Sequence, residues 1–511
     1  MAAKRIARIA ALDVLLPALF GGLATLGFAP FGYYGLTLLA LVGLLALWWP
    51  ASVRRGAWRG FVFGLAHFGT GIYWTFVSTY YYGGAPLPMA VALVCALTIY
   101  MALYPALVGA VAGATRGLAR TLWALLVVPC AWLLAELVRS WVMTGFPWLS
   151  LGYSLIDAPV TALAPIGGVY FLGALMMASA GTVVLLFAGS IPARALAVVL
   201  IGLAPLGLWY TPPATEWTQA SGAPVSVDVV QGNFAQAVKW DRDVFRTTLE
   251  RYRAMTEASD ADLVVWPEVA IPAPANQVQA YLDDIATLAG ERSQTVLAGI
   301  LVHEASDAPY YNAVLALGAG EGRYYKRHLV PFGEYFPVPE FVKTLLDGVN
   351  MRYSDFGFGA DDQALIEVDG VKLGLSICFE DAFGYEIAKA LPQAGVLVNV
   401  TNDAWFAGTT AAAQHLEIAR MRALEAGRPM LRAANTGISA IIDYDGRLRE
   451  RTPEFQIAQI ESQVQPRSGE TPYMRIGDRP LWWAGFAVTA LSLLGALLLG
   501  RRQRRARKTD D

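Results

Sequence analysis

Cysteine and histidine are scarce in this chain, which has three cysteines and four histidines among 511 residues. No cysteine pair is spaced as C-x-x-C and no H-E-x-x-H is present, so the usual zinc ligands do not form a recognisable site. Cys95 and Cys130 lie inside long apolar runs, which leaves Cys378 as the only thiol of the polar part. We therefore expect no metal, no other cofactor and no disulfide within that part.

Charge is scarce as well, since Asp, Glu, Lys and Arg make up 16% of the chain and the formal net charge is -2. Nucleic-acid-binding domains carry a basic patch, whereas the basic residues here form only short clusters beside apolar runs. Hydrophobic residues reach 55%, which is too apolar for an ordinary soluble enzyme. The composition therefore predicts a membrane protein and gives no support for a nucleic-acid partner.

Eight apolar runs have about the length of a membrane span. Lys4, Arg5 and Arg8 precede the first run, as in a signal peptide, but no convincing cleavage site follows, so we interpret this run as a retained span. Seven runs precede residue 212 and one follows the polar part; they cover residues 12–28, 33–49, 58–80, 87–114, 121–139, 163–189, 195–211 and 481–500.

Basic residues cluster in alternate loops, which predicts the topology. These places are residues 4–8, 54–59, 116–120, Arg194 and the tail after residue 500, and the positive-inside rule assigns them to the cytoplasm. The predicted organisation is a transmembrane region at 1–211, a domain on the opposite side at 212–480, an eighth span at 481–500 and a basic cytoplasmic tail at 501–511. In a Gram-negative bacterium the domain would be periplasmic, on a multi-pass protein of the inner membrane.

Residues 212–480 alternate between strand-like and helix-like patterns, which predicts a layered α/β domain. Strands are predicted at 225–230, 263–266, 295–301, 312–317, 365–368, 372–377, 396–400, 429–434 and 439–443. Helices are predicted at 242–259, 277–292, 379–391 and 411–426. An apolar-rich stretch at 335–358 is interpreted as a lid that contacts lipid, with an ordinary covered loop as the alternative.

Three polar residues follow apolar strands in this domain. Cys378 comes after a hairpin whose turn is Asp369-Gly370, and taken alone such a cysteine is typical of an inert core thiol. Glu268 and Lys326 end two other strands and change that interpretation. A protonated thiol needs a base, for which Glu268 is the candidate. Lys326 and the backbone N–H of Phe379 are candidates for stabilising the negative charge of a tetrahedral intermediate.

The order Glu, Lys, Cys is similar to the catalytic triad of the nitrilase, or carbon–nitrogen hydrolase, superfamily. The stretches QGN-x-x-Q-x-x-KW, VWPE, HLVPFGEY, ICFED, NDAWF and GFPWL extend the match along the chain. Together they resemble the apolipoprotein N-acyltransferase family, the membrane-bound branch of that superfamily. The resemblance implies an α-helical membrane bundle of eight spans with an inserted α/β nitrilase-like domain, an α-β-β-α sandwich.

The resemblance also implies roles for individual residues. Glu268, Lys326 and Cys378 match the family's catalytic residues. Phe379 stands where the family pattern has Tyr, so this position has no hydroxyl and the role that remains is an apolar or backbone one. The supporting and substrate-binding candidates are Trp240, Glu334, Phe379, Glu380, Trp148 and Asn402.

The function implied by the resemblance is transfer of a fatty acyl chain from a phospholipid to the α-amino group of the S-diacylglyceryl-cysteine of apolipoproteins. This is the last step of bacterial lipoprotein maturation, and the expected route is a thioester on Cys378 in a monomeric enzyme. One alternative is a membrane-anchored amidase or nitrilase with the same triad and water as acceptor. A transporter or lipid-binding protein is disfavoured because no symmetry between half-chains is visible.

Overall fold

The computed structural model describes residues 11–209, 211, 217–305, 308–335, 356–406 and 408–509. The chain divides into a helical unit, Met1–Tyr73, Val91–Pro212 and Ile476–Asp511, and a sheet-rich unit, Trp74–Ala90 and Pro213–Arg475. The predicted lid at 335–358 lies almost entirely outside the described residues.

The helical unit is built from apolar helices that overlap the predicted runs, although the helix at Val53–Gly71 begins before the run predicted at 58–80 and ends well short of residue 80. The helices are Leu16–Thr25 with a preceding π-helical turn Ala11–Leu15, Tyr34–Trp48, Val53–Gly71, Leu87–Ala114, Arg120–Leu122 continuing through Trp123–Val127 into Val128–Arg139, Ala164–Ala188, Ile191–Trp209 and Arg479–Thr509. Three short 3-10 turns lie between the helices Val128–Arg139 and Ala164–Ala188. They are Val142–Thr144, Leu151–Leu155 and Pro159–Leu163.

Within the described residues, five helices are long and apolar enough to cross a membrane: Leu87–Ala114, Arg120–Arg139, Pro159–Ala188, Ile191–Leu208 and Arg479–Gln503. They support a membrane protein, but the count of eight spans stays a prediction. The helices at the other three predicted spans differ from these five in length or in charge. Ala11–Thr25 and Tyr34–Trp48 are shorter, and a 15-residue helix is about 22 Å long against a hydrocarbon core of about 30 Å.

The third of these, Val53–Gly71, contains three arginines. One of them, Arg59, is buried and forms an ion pair of 2.6 Å with Asp13. A paired arginine is less costly to bury than a free one, so this helix is compatible with an apolar surrounding despite its lower hydropathy.

The sheet-rich unit contains fifteen strands within its described residues. They are β1 (Thr218–Ala220), β2 (Val225–Gln231), β3 (Leu263–Val265), β4 (Ile271–Pro274), β5 (Thr295–His303), β6 (Tyr310–Gly318), β7 (Gly322–Tyr325), β8 (Ile366–Val368), β9 (Val371–Ile377), β10 (Val396–Thr401), β11 (Met430–Ala434), β12 (Ala440–Ile442), β13 (Leu448–Arg451), β14 (Ala458–Val464) and β15 (Arg467–Gly469).

Two large sheets organise these strands. One has the order β13-β12-β11-β10-β9-β8, and the other β14-β2-β3-β5-β6-β7 with β4 also paired to β5. Strands β9, β10 and β11 are parallel, as are β2, β3 and β5, whereas the outer neighbours are antiparallel. The short pair β1 and β15 lies apart from both.

Alternate residues of the strands form the core between the two sheets. Val227 and Val265 of one sheet belong to the same buried cluster as Leu375 and Val398 of the other. Because side chains of a strand point alternately to its two faces, the intervening residues face outward and are covered by helices. The result is a four-layer α-β-β-α arrangement, as the sequence analysis expected.

The outer layers are formed by helices on each sheet. Arg242–Ala258 and Gln279–Glu291 cover the β2-β3-β5 face through Tyr252 and Ile285. Ala411–Ala426 covers the β10-β11-β12 face through apolar residues such as Leu416. Shorter elements are Ala275–Gln277, Cys378–Ala382, Gly384–Ala388, Asp403–Phe406 and Pro472–Ile476.

The predicted helix at 379–391 is wrong in its form. Cys378–Ala382 is a single 3-10 turn, Phe383 is extended with φ -109° and ψ 107°, and a five-residue α-helix follows at Gly384–Ala388. The side chain of Glu380 accepts the N–H of Ile377 at 2.7 Å and so draws the turn back toward the strand. No long helix therefore begins at the cysteine.

Residues 74–90 differ from the sequence analysis, which placed them in the transmembrane region. They contain the helical turns Trp74–Val77 and Ser78–Tyr82 and pack with the sheet-rich unit. Trp74 donates a hydrogen bond of 3.0 Å to the side chain of Gln414, and its ring lies edge-on to Phe406 at 4.7 Å. These two contacts explain why the segment belongs to that unit.

Candidate active site

The hairpin before Cys378 has the predicted two-residue turn. Val368 pairs with Val371, and Asp369 and Gly370 between them have φ values of 49° and 76°, as a type I′ turn requires. Strand β9 then leads to Cys378, whose φ is 52°. This left-handed conformation costs a non-glycine residue roughly 1–2 kcal/mol, and it turns the chain at Cys378, which is half-buried.

Glu268 and Lys326 lie beyond the ends of β3 and β7 and contact each other. Lys326 Nζ is 3.5 Å from Glu268 Oε1 and 2.8 Å from Glu334 Oε1. The Lys326 side chain is only 1% exposed. Asn312 of β6 donates through Nδ2 to both carboxylates, at 2.7 Å to Glu268 and 3.1 Å to Glu334. One ammonium and one amide thus hold two carboxylates side by side.

The two carboxylates differ in which oxygens are occupied. Glu334 uses both, because Oε1 accepts from Lys326 and Asn312 while Oε2 accepts the N–H of Val330 at 2.8 Å. Glu268 uses Oε1 only, and no described residue donates to its Oε2. Glu268 therefore has an oxygen available for a proton, whereas Glu334 is suited to holding Lys326.

The charges of this group act on one another. Burial lowers the pKa of Lys326, but the carboxylates of Glu334 and Glu268 outweigh it and raise the pKa above its usual range. Burial and the charge of Glu268 raise the pKa of Cys378 well above the usual thiol value, although Lys326 opposes them. The resting site therefore has a permanent cation and a protonated thiol, and the thiol needs a base before it can react.

Glu380 connects the lysine loop to the cysteine turn. It is fully buried, and Oε1 accepts the N–H groups of Arg327 at 2.6 Å and His328 at 3.0 Å. Oε2 accepts the hydroxyl of Tyr324 at 2.9 Å and the N–H of Ile377 at 2.7 Å. With four donors to two oxygens, Glu380 fixes the segments next to Lys326 and Cys378 in one geometry.

Comparison with known proteins decides the family. Residues 226–473 match the carbon–nitrogen hydrolase model, and residues 20–182 match the model of the apolipoprotein N-acyltransferase N-terminal domain. An apolipoprotein N-acyltransferase of Methylococcus capsulatus is 40% identical over 97% of this chain and 97% of its own length. The chain belongs to the apolipoprotein N-acyltransferase family.

Two further relatives carry the same name. The apolipoprotein N-acyltransferase of Azotobacter vinelandii is 39% identical over 95% of both chains, and that of Vibrio parahaemolyticus is 35% identical over 96% of this chain and 97% of its own. The expected resemblance is thus confirmed, and the chain is an acyltransferase enzyme with a nitrilase-like domain.

The supporting residues proposed from the sequence have different surroundings. The side chain of Trp240 is 53% exposed and has no hydrogen bond or ring contact with another described residue. Phe379 is buried, with its ring edge-on to Phe383 at 5.0 Å, which fits an apolar role. Trp148 belongs to the helical unit, where Arg139 donates to its carbonyl at 2.6 Å.

Asn402 belongs to a chain of amides that fixes the loop carrying Trp240. Its Nδ2 donates to Gln236 Oε1 at 2.9 Å, and its Oδ1 accepts from Asn435 at 3.0 Å. Asn435 in turn exchanges hydrogen bonds with the backbone of Phe234. The structure therefore gives Asn402 a loop-holding contact rather than a contact with Glu268, Lys326 or Cys378.

Two residues near the triad were missed from the sequence. The sequence analysis used Asn312 only as the first residue of a predicted strand. An amide side chain within an otherwise apolar strand could have indicated a functional residue. Lys239 is 1% exposed, and its Nζ donates at 3.5 Å to the backbone carbonyl of Glu268. Burial lowers the pKa of Lys239 to about 8 despite the charge of Glu268.

The structure also shows no cluster of three or more metal-binding side chains in its described part.

Proposed function

We propose that this enzyme transfers a fatty acyl chain from a phospholipid to the α-amino group of the S-diacylglyceryl-cysteine of an apolipoprotein. The observation that carries the proposal is the Glu268–Lys326–Cys378 group in a chain that belongs to the apolipoprotein N-acyltransferase family. The reaction would be the last step of bacterial lipoprotein maturation, in a monomeric enzyme that needs no cofactor.

The first half-reaction makes a thioester. Glu268 Oε2 takes the thiol proton as Cys378 Sγ attacks the carbonyl carbon of the donor ester. Lys326 Nζ and the N–H of Phe379 stabilise the negative charge on the carbonyl oxygen, at about 3 kcal/mol per donor in enzymes of this type. The intermediate then breaks its bond to the glycerol oxygen, which takes the proton back from Glu268. A lysophospholipid leaves, and the acyl group remains on the sulfur.

The second half-reaction uses the same groups in reverse. The neutral α-amino group of the acceptor attacks the thioester carbonyl, and Glu268 takes the proton that the amine loses. The tetrahedral intermediate breaks its bond to sulfur, which regains a proton from Glu268. The product is an amide-linked acyl chain, and Cys378 is again a thiol. Because one nucleophile serves two large lipid substrates in turn, the mechanism is ping-pong.

The membrane helices favour lipid substrates over small amides. A hydrolase acting on a soluble amide or nitrile with the same triad would need no set of spanning helices, whereas donor and acceptor here both keep their acyl chains in the bilayer. The five helices long enough to cross a membrane support this choice. A membrane-anchored amidase or nitrilase remains the rival, with water in place of the amine.

The test is incubation of the purified enzyme with phospholipid and a diacylated lipopeptide. We expect a triacylated peptide in mass spectra, with one lysophospholipid released per peptide modified. Without the lipopeptide, about one equivalent of lysophospholipid should be released in a burst. A control peptide with an acetylated α-amino group should stay unmodified. Continuous release of free fatty acid with no triacylated product would favour the hydrolase instead.

The alternating basic loops lead us to propose a periplasmic sheet-rich unit and a cytoplasmic tail. Cysteines introduced at exposed positions such as Glu321 and Arg502, in a background where Cys95, Cys130 and Cys378 are replaced, should react differently with an impermeant maleimide applied to intact spheroplasts. The expected result is labelling at 321 and protection at 502 until the membrane is permeabilised. Labelling of both in intact spheroplasts, or of 502 alone, would contradict the topology.

A further inference from the structure

Four charged side chains are buried together beneath the turn that carries Cys378. Asp381 lies in that turn, Asp403 follows β10, His415 lies in the helix Ala411–Ala426 and Arg432 lies in β11. None of them is more than 3% exposed. The proposed mechanism uses none of them, although burying four charges is costly unless they are paired.

The four groups are paired with one another. His415 Nδ1 is 2.9 Å from Asp403 Oδ1, and its Nε2 is 3.0 Å from Asp381 Oδ1. Arg432 spans the same two carboxylates, with Nη2 at 3.0 Å from Asp403 Oδ2 and Nη1 at 3.4 Å from Asp381 Oδ2. Each carboxylate therefore contacts both cations, and the four side chains form a closed ring.

The ring contacts the backbone of the cysteine itself. His415 Nε2 lies 3.3 Å from the carbonyl oxygen of Cys378. Asn399 of β10 donates to the same oxygen at 3.2 Å, and its own Oδ1 accepts from Arg432 at 2.8 Å. The carbonyl of a residue with φ 52° is thus held by two side chains that the ring orients.

We propose that Asp381, His415, Asp403 and Arg432 form a positioning ring that holds Cys378 in its left-handed conformation and thereby aims the thiol at Glu268 and Lys326. The inference rests on the proposed role of Cys378 as nucleophile. The four residues are positioning residues, since they act through the Cys378 carbonyl rather than on substrate.

The protonation states agree with this role. Burial and Arg432 lower the pKa of His415, but the carboxylates of Asp381 and Asp403 outweigh them and raise it to about 9. Burial raises the pKa of Asp403, but Arg432 and His415 outweigh it and lower it to about 2. At neutral pH the ring then contains two cations and two anions. With both ring nitrogens of His415 protonated, each can donate a hydrogen bond to an aspartate, and these bonds fix the turn.

Arg432→Lys tests the ring, because lysine keeps the charge but cannot reach both carboxylates and Asn399 in a planar fork. The matched control is Arg428→Lys. Arg428 is also fully buried and lies just before β11, but it donates to the backbone carbonyls of Ala394, Pro392 and Gly469 and to neither aspartate. Both substitutions remove a buried guanidinium group at or next to β11.

Two readouts separate positioning from general destabilisation, both taken below the unfolding temperature of each variant. The first is the rate at which iodoacetamide alkylates Cys378, followed on the tryptic peptide, which needs no lipid substrate. The second is the burst of lysophospholipid. We expect Arg432→Lys to slow alkylation about tenfold and the burst about 100-fold, with KM for phospholipid within twofold of wild type. His415→Gln, which keeps one donor, should show a smaller loss, and Arg428→Lys should lower the unfolding temperature only.

If Arg432→Lys does not fold, Asp403→Asn replaces it in the test, because asparagine keeps the shape of the side chain. We expect the same slowing of alkylation and of the burst. Wild-type rates of alkylation and burst in folded Arg432→Lys or Asp403→Asn enzyme would overturn the ring as a positioning device. Equal slowing by Arg428→Lys would overturn it too, because any buried arginine would then suffice. A wild-type enzyme that is alkylated normally but gives no burst would instead reject the proposed function.

Discussion

Replacing Cys378 with alanine is expected to abolish both thioester formation and the lysophospholipid burst. The loss in kcat should be about 10⁵-fold or more, as for removal of other catalytic nucleophiles. Cys378→Ser should also be severely impaired, because the hydroxyl of serine is a far weaker acid than a thiol and Glu268 is poorly matched to deprotonate it. The measurement is intact-protein mass spectrometry after mixing with phospholipid alone.

The controls are the other two thiols of the chain. Cys95→Ala and Cys130→Ala change cysteines of the helical unit and should still gain one acyl mass per enzyme. An acyl adduct on Cys378→Ala enzyme would contradict the assignment of the nucleophile. Donor cleavage that requires the acceptor in wild-type enzyme would contradict the covalent mechanism and favour direct transfer.

The central strands of the sheet-rich unit were predictable because their residues alternate in a pattern that one buried face imposes. The strand predicted at 372–377 is β9, and the one predicted at 396–400 is β10. β9 contributes Leu375 and β10 contributes Val398 to the core between the sheets. Strong apolar periodicity and short turn signals are local properties, so one sequence is enough to find them.

The outer strands were not predictable in the same way. β13 is mostly exposed and reads LRER, and β14 alternates weakly. Such segments are strands because a neighbour pairs with them: β14 is aligned with β2 along seven residues. Likewise residues 74–80 continue the apolar run that was predicted as a span at 58–80, and only the contacts of Trp74 with Gln414 and Phe406 assign them elsewhere.

The site was partly predictable for a related reason. Glu268 and Cys378 each follow an apolar strand, so their polarity is conspicuous in the sequence, whereas Lys326 follows β7, whose sequence GRYY is only partly buried. Glu334 and Glu380 were named without distinct roles, because a role depends on which oxygens have donors. The ring of four charges was not predicted, because each of its residues gains its role from partners that are distant in the chain.

Glu268→Gln is expected to lower the first half-reaction about 1,000-fold at pH 7, because an amide cannot take the thiol proton. The same change removes a negative charge that raises the pKa of Cys378, so the thiol becomes easier to deprotonate. Acylation by the variant should therefore rise about tenfold per pH unit from pH 7 to 9, as more of it becomes thiolate. Wild-type acylation should not show this slope. The measurement is the rate of the lysophospholipid burst at each pH.

Glu334→Gln is the matched control for this prediction. Glu334 contacts the same Lys326 and Asn312 as Glu268, but its two oxygens are both occupied, so we assign it to holding the cation and not to moving the proton. Its variant keeps an amide oxygen for Lys326, so its loss should be nearer tenfold and its pH profile should follow the wild type. A tenfold rise per pH unit in Glu334→Gln, or near-normal acylation by Glu268→Gln at pH 7, would identify a different base. In the first case the proton acceptor is Glu334, and in the second it is a group other than Glu268.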